Sequence, residues 1–178
     1  GMNAGASLDA GSDGNTFIGK DVSDATMNNA TYNVGVGYKA LSALTDGDYN
    51  TAIGYNAGLA FLSGQQNVFI GNAAGYATTD VDKAVIVGDN AAIADMTSDA
   101  DGTVAIGQAA LTALTSGIGN VAIGYQSQDA NVTGDYNTSV GTSALGALNV
   151  DGDAFNTAVG YQSLLANTTG VQNTAVGA

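Results

Sequence analysis

The chain has 178 residues, among them 26 Gly and no Pro, Cys, His or Trp, and a formal charge of −13. All sixteen acidic residues are Asp, and the only cations are Lys20, Lys39 and Lys83, with no Glu or Arg, so the residues that usually fill exposed helix faces are missing. Three scattered lysines argue against binding a phosphate backbone or an anionic membrane; no run approaches the roughly 18 apolar residues of a span, and without Cys there is no disulfide or thiol chemistry.

At the N-terminus no charged stretch precedes an apolar one, so no signal peptide is visible. Gly1 before Met2 reads as a scar of tag removal, and residues 1–14 read as a tail or cap.

From residue 15 a pentapeptide recurs: Asn, then Thr or Val, a variable residue, Ile or Val, and Gly. It stands at Asn15–Gly19, Asn33–Gly37, Asn50–Gly54, Asn67–Gly71, Ala84–Gly88, Thr103–Gly107, Asn120–Gly124, Asn137–Gly141, Asn156–Gly160 and Asn173–Gly177. The ten glycines lie 18, 17, 17, 17, 19, 17, 17, 19 and 17 residues apart. A unit of this length cannot bury its own apolar face, but stacked units can do so jointly. The expected fold is all-β, a β-solenoid of about ten 17- to 19-residue coils filling residues 15–178, in a chain that stops inside its tenth unit.

Numbering the unit from its Asn, positions 2 and 4 are β-branched and share one face of a strand. That face is expected to point inward, with position 3 (mostly Ala, but Phe17, Phe69 and Ile86 in three coils) on the other side. Gly at position 5 implies a positive φ or close approach of the next coil. Stacked side-chain amides in a hydrogen-bonded ladder account for the Asn at position 1. Position 8 is Ala or Ser except for Val22, and position 11 is always Ala, which implies small inward residues in a thin coil. The spacing of three between them suits a bend or a 3₁₀ turn. Turns such as Thr45-Asp-Gly-Asp close each unit. The two 19-residue units insert their extra residues around Asp99–Gly102 and Asp151–Asp153, expected on one edge of the rod.

A thin coil has little room for the further apolar residues Leu41, Leu44, Leu59, Phe61, Leu111, Leu114, Leu145, Leu148, Leu164 and Leu165. They are expected to line one exposed face and to form an oligomer interface, carried chiefly by Leu41, Leu44, Leu111, Leu114, Leu145, Leu148 and Leu164. The alternative is a wider coil that swallows them.

The units Asn50-Thr-Ala-Ile-Gly-Tyr-Asn-Ala and Asn156-Thr-Ala-Val-Gly-Tyr-Gln-Ser-Leu-Leu-Ala-Asn-Thr-Thr-Gly resemble repeats of bacteriophage tail fibres. They are also similar to the head repeats of trimeric autotransporter adhesins, although the adhesin unit is shorter than 17 residues. The resemblance spans residues 15–178. It implies a left-handed β-roll in a parallel homotrimer, outside the cell or on a virion, that attaches to a host-surface glycan or protein.

No catalytic residue and no cofactor is expected. The close acidic pairs Asp46/Asp48, Asp80/Asp82, Asp99/Asp101 and Asp151/Asp153 lie in polar turns, where the raised pKa of a general acid is hard to achieve. Asp99, Asp101, Asp151 and Asp153 are weak Ca²⁺ candidates on oxygen chemistry alone. Tyr38, Tyr55, Tyr125 and Tyr161, at position 6, are the candidates for partner contact because Tyr pairs an apolar face with a hydroxyl. A single-chain solenoid that binds ice through Thr16, Thr51, Thr138, Thr157 and Thr174 is the alternative function, weakened by Val at position 2 in the other five units and by the expected inward orientation of that position. A polysaccharide-degrading enzyme resting on the Asp pairs is a more distant one.

Overall fold

A computed structural model describes residues 1–178. Ten three-residue strands, one per pentapeptide, form a single parallel sheet: β1 (Thr16–Ile18), β2 (Val34–Val36), β3 (Thr51–Ile53), β4 (Val68–Ile70), β5 (Val85–Val87), β6 (Val104–Ile106), β7 (Val121–Ile123), β9 (Thr138–Val140), β11 (Thr157–Val159) and β12 (Thr174–Val176). They stack strictly in chain order, and each rung touches only the rung before and the rung after. The chain is therefore a parallel β-solenoid of about nine turns between ten rungs.

Register is kept position for position, as in Thr51↔Val68, Ala52↔Phe69 and Ile53↔Ile70. The 19-residue units keep it too, pairing Val85 with Val104 and Thr138 with Thr157. Their extra residues are absorbed just before the Asn position. One set forms a 3₁₀ turn at Ser98–Ala100. The other forms strand β10 (Asp151–Asp153), which pairs in parallel with β8 (Thr133–Asp135) as a second, two-stranded sheet.

The strand faces are the reverse of the expected ones. Position 3 points inward: Ala52, Phe69, Ile86, Ala105, Ala122, Ser139 and Ala158 are buried. Positions 2 and 4 point outward, and Ile18, Ile53, Ile70, Ile123, Val140 and Val176 are all exposed. The cause lies in the opposite wall. Leu41, Leu44, Leu111, Leu114, Leu145 and Leu148 are fully buried inside the single-chain coil, and Leu164 packs against the last of these clusters. Most of the leucine stripe is thus core, not an exposed interface, and it leaves room for little more than Ala on the strand; of its remaining members Leu59 is half-buried and Leu165 is exposed. Where Gly replaces the large residue at position 9, as in Gly58 and Gly75, the space is filled by Phe69 from the strand side.

A coil wide enough for leucine is made by left-handed residues at positions 7 and 9. Lys39 and Leu41, Ala109 and Leu111, and Ser143 and Leu145 all have φ near +50°. This alternation lets positions 8 and 9 both face the core. Position 8 is buried as expected, from Val22 and Ala40 through Ala144. The position 11 alanines, including Ala43, Ala60 and Ala113, are only half-buried, because the leucine or phenylalanine of position 12 takes the inward place.

The glycine of position 5 meets both conditions inferred for it. Gly54 has φ +144°, and a Cβ there would overlap the carbonyl oxygen of Gly71 in the next coil. Residues 1–14 are bonded like any other back half of a coil: Gly5 N–H donates to Val22 O at 2.9 Å, Met27 N–H to Ser7 O at 3.1 Å and Asp21 N–H to Met2 O at 2.9 Å. The tail is therefore continuous with the solenoid rather than a separate cap.

Candidate functional site: the outer face of the long sheet

Asn at position 1 anchors the strand. Asn50 N–H and Nδ2 both donate to Asn33 Oδ1, at 2.9 and 3.0 Å, and its Nδ2 also donates to Gly64 O at 2.8 Å. Asn67 repeats the pattern on Asn50, and Asn137, Asn156 and Asn173 on their predecessors. The amide ladder runs buried along the rod and is broken only at Ala84 and Thr103. It fixes each strand against the last, so the outward side chains align in register as columns.

Two columns occupy the outer face. Position 2 carries Thr or Val and position 4 carries Ile or Val in all ten coils. Neighbours along a column lie about 4.8 Å apart, and the columns are about 7 Å from each other. None of these twenty positions is charged. The face is a strip about 43 Å long, from nine strand intervals.

Aromatic columns rim the strip on both sides. The residue before the Asn contributes Tyr32, Tyr49, Tyr136 and Phe155; Tyr32 stacks on Tyr49 and Tyr136 on Phe155, each pair with centroids 5.2 Å apart. Position 6 contributes Tyr38, Tyr55, Tyr125 and Tyr161. Tyr38 and Tyr55 stack at 5.2 Å, while Tyr125 and Tyr161 stand singly with Thr142 between them in the column. Tyr55, Tyr125 and Tyr161 are exposed at 55%, 46% and 58%, and Tyr38 is half-buried. Lys20 and Lys39 each place Nζ 5.6 Å from the Tyr38 ring centre. Of the rims, sequence reading found only position 6. The other was masked by variety, since Gln66, Lys83, Gly102 and Gly119 share its column.

Acidic residues concentrate on a different wall, in the turns before the Asn. Asp48 accepts the Thr31 N–H at 2.7 Å, Asp82 the Gln65 N–H at 2.7 Å, Asp101 the Asp82 N–H at 2.7 Å and Asp135 the Ile118 N–H at 2.8 Å. The second Asp of three Asp-x-Asp turns (Asp48, Asp82 and Asp101), and Asp135 at the equivalent place in Thr133-Gly134-Asp135, therefore cap the backbone of the preceding coil. Asp99 lies exposed in the 3₁₀ turn, and Asp151 and Asp153 point outward from β10. No three acidic residues converge on one point. Two carboxyls depart from ordinary titration. Burial pushes Asp129 up, while hydrogen bonds from Ser12 and the Asn29 backbone hold Asp9 down.

Comparison with family models, with curated proteins and with solved structures finds no match to this chain.

Proposed function

We propose that the chain is a rigid structural segment of an extracellular or virion fibre, assembled as a parallel homotrimer, that contributes to attachment to a cell-surface glycan or protein. The observation that carries this reading is the in-register array of outward columns. A rod that repeats the same side chains at each rung, about every 4.8 Å, offers many weak contacts to an extended partner, and avidity makes such contacts strong together. The reading assigns no catalysis: Asp48, Asp82, Asp101 and Asp135 are engaged in capping backbone N–H groups. The test is binding of the labelled protein to a glycan array and to whole cells, with release medium assayed for cleaved sugar. Retention without cleavage supports attachment; soluble products that vanish in Asp99→Asn or Asp151→Asn variants would replace it with an enzyme.

One observation favours ice binding as a second reading. Thr16, Thr51, Thr138, Thr157 and Thr174 are on the outward face, not the inward one. Measurable thermal hysteresis that is lost in Thr51→Lys would establish it.

A further inference from the structure

We propose that the uncharged outer face of the long sheet is covered by the same face of further copies of this chain. The inference rests on the homo-oligomeric reading and names the surface that would carry it.

In α/β folds the crossover helices cover both faces of a parallel sheet; this solenoid has no such layer. Here the inner face is covered by the coil's own core, while the outer one is bare. Its twenty positions hold only Thr, Val and Ile, eight of them exposed and the rest half-buried, in a continuous and largely apolar strip of the kind that marks an interface. With its tyrosine rims the strip covers on the order of 800 Å², about 43 Å by 20 Å, which is about what one partner contributes to a standard interface. Tyrosine is also a residue that interfaces favour, and the stacked pairs Tyr32–Tyr49 and Tyr38–Tyr55 are held in place before any partner arrives.

Charge selects the occupant. Two copies at −13 each repel through the Asp-rich turns, whereas the columns of positions 2 and 4 carry no carboxylate and the columns that rim them carry only Asp89, alongside Lys20 and Lys83. A cationic partner would instead seek the acidic wall. The β-branched columns present ridges at the strand spacing, so two identical strips offset by half that spacing interdigitate. The tyrosine rims stand on either side of the strip in coils two and three, which makes it a trough there and suits a protein ridge better than a plane of ice.

The test is solution mass by light scattering for the wild type and for Ile53→Lys/Ile70→Lys/Val87→Lys, with circular dichroism to confirm that the coil persists. Ser63→Lys, exposed elsewhere, is the control, and Ile53→Thr/Ile70→Thr/Val87→Thr is the milder variant that keeps β-branching. The proposal expects a wild-type mass at a whole multiple of 17.5 kDa, unchanged in the control, falling to one chain in the Lys variant and shifting toward one chain on dilution in the Thr variant. A wild-type oligomer that survives both variants overturns the assigned face while leaving the oligomeric fibre intact. A monomeric wild type overturns both, and thermal hysteresis of that monomer would then identify ice as the occupant.

Discussion

Asn50 shows how one side chain serves three coils. Its amide is buried, takes a bond from Asn67 and gives bonds to Asn33 and to Gly64. Asn50→Ala leaves several buried groups without partners, each costing about 1–3 kcal/mol, so a loss of about 2–4 kcal/mol is expected from denaturant unfolding. Phe69 makes a second case. It is fully buried, edge-on to Phe61 with centroids 5.1 Å apart, and lies between Gly58 and Gly75. Phe69→Ala should cost about 3–5 kcal/mol through the cavity, and Gly75→Leu alone about 1–3 kcal/mol through overpacking. The double variant should recover much of the loss, because Leu41 and Leu145 already hold the same left-handed conformation in that column. Additive costs in the double-mutant cycle would show that the two positions do not share one space.

At the level of the coil, the repeat length, the strand, the amide ladder, the glycine of position 5 and the small residue of position 8 were all legible in the sequence. Each is a nearly invariant residue type whose physical use is narrow. The direction of the strand was not. Alternation of Thr/Val and Ile/Val around Ala reads as apolar-in, but the space inside depends on Leu41 or Phe61 arriving from the far wall, and no local pattern records that. Nor do Leu, Ala and Gln announce a left-handed backbone, since these side chains have no preference for it. The leucine stripe and the inward position 2 fell together for this reason. The candidate tyrosines of position 6 were legible as a column, while the rim facing them was not.

A joint between coils follows from buried polarity. Ser127, Gln128, Asn131 and Ser139 occupy inward places that elsewhere hold Ala or Leu, with Gln128 Nε2 donating to Ser139 Oγ at 2.8 Å and Gly134 N–H donating to Asn131 Oδ1 at 3.0 Å. They separate a 23-residue core cluster from a smaller one of Ala144, Leu145, Leu148 and Ala158. In a stack held by neighbour contacts, a weak layer divides the cooperative unit. Amide hydrogen exchange should therefore be faster throughout β9, β11 and β12 than in β3 to β6. Gln128→Leu/Asn131→Leu/Ser127→Ala/Ser139→Ala should remove the step; a uniform profile in the wild type would refute the joint.

For the molecule as a whole, the carboxylates set the response to pH. Burial raises Asp129 in the folded state, so its ionisation opposes folding: the handicap is absent below the unfolded pKa and fully present once the pH exceeds the folded one. Asp129→Asn should raise Tm at pH 7 and leave it unchanged at pH 3. Asp9, held down by Ser12 and the Asn29 backbone, has the opposite sign and favours folding at neutral pH, with the benefit fading as acid protonates it. An unchanged Tm at pH 7 in the Asp129 variant would place that carboxyl in solvent.

Because each rung meets only its two neighbours in a constant register, units whose core residues match are bounded by interfaces of the same shape. Excising one whole 17-residue unit rejoins matching surfaces and shortens the rod by a single strand spacing, about 4.8 Å. Duplicating one lengthens it by the same step. Reach is thus a counted quantity, adjusted by copying or deleting whole repeats without redesigning any of them.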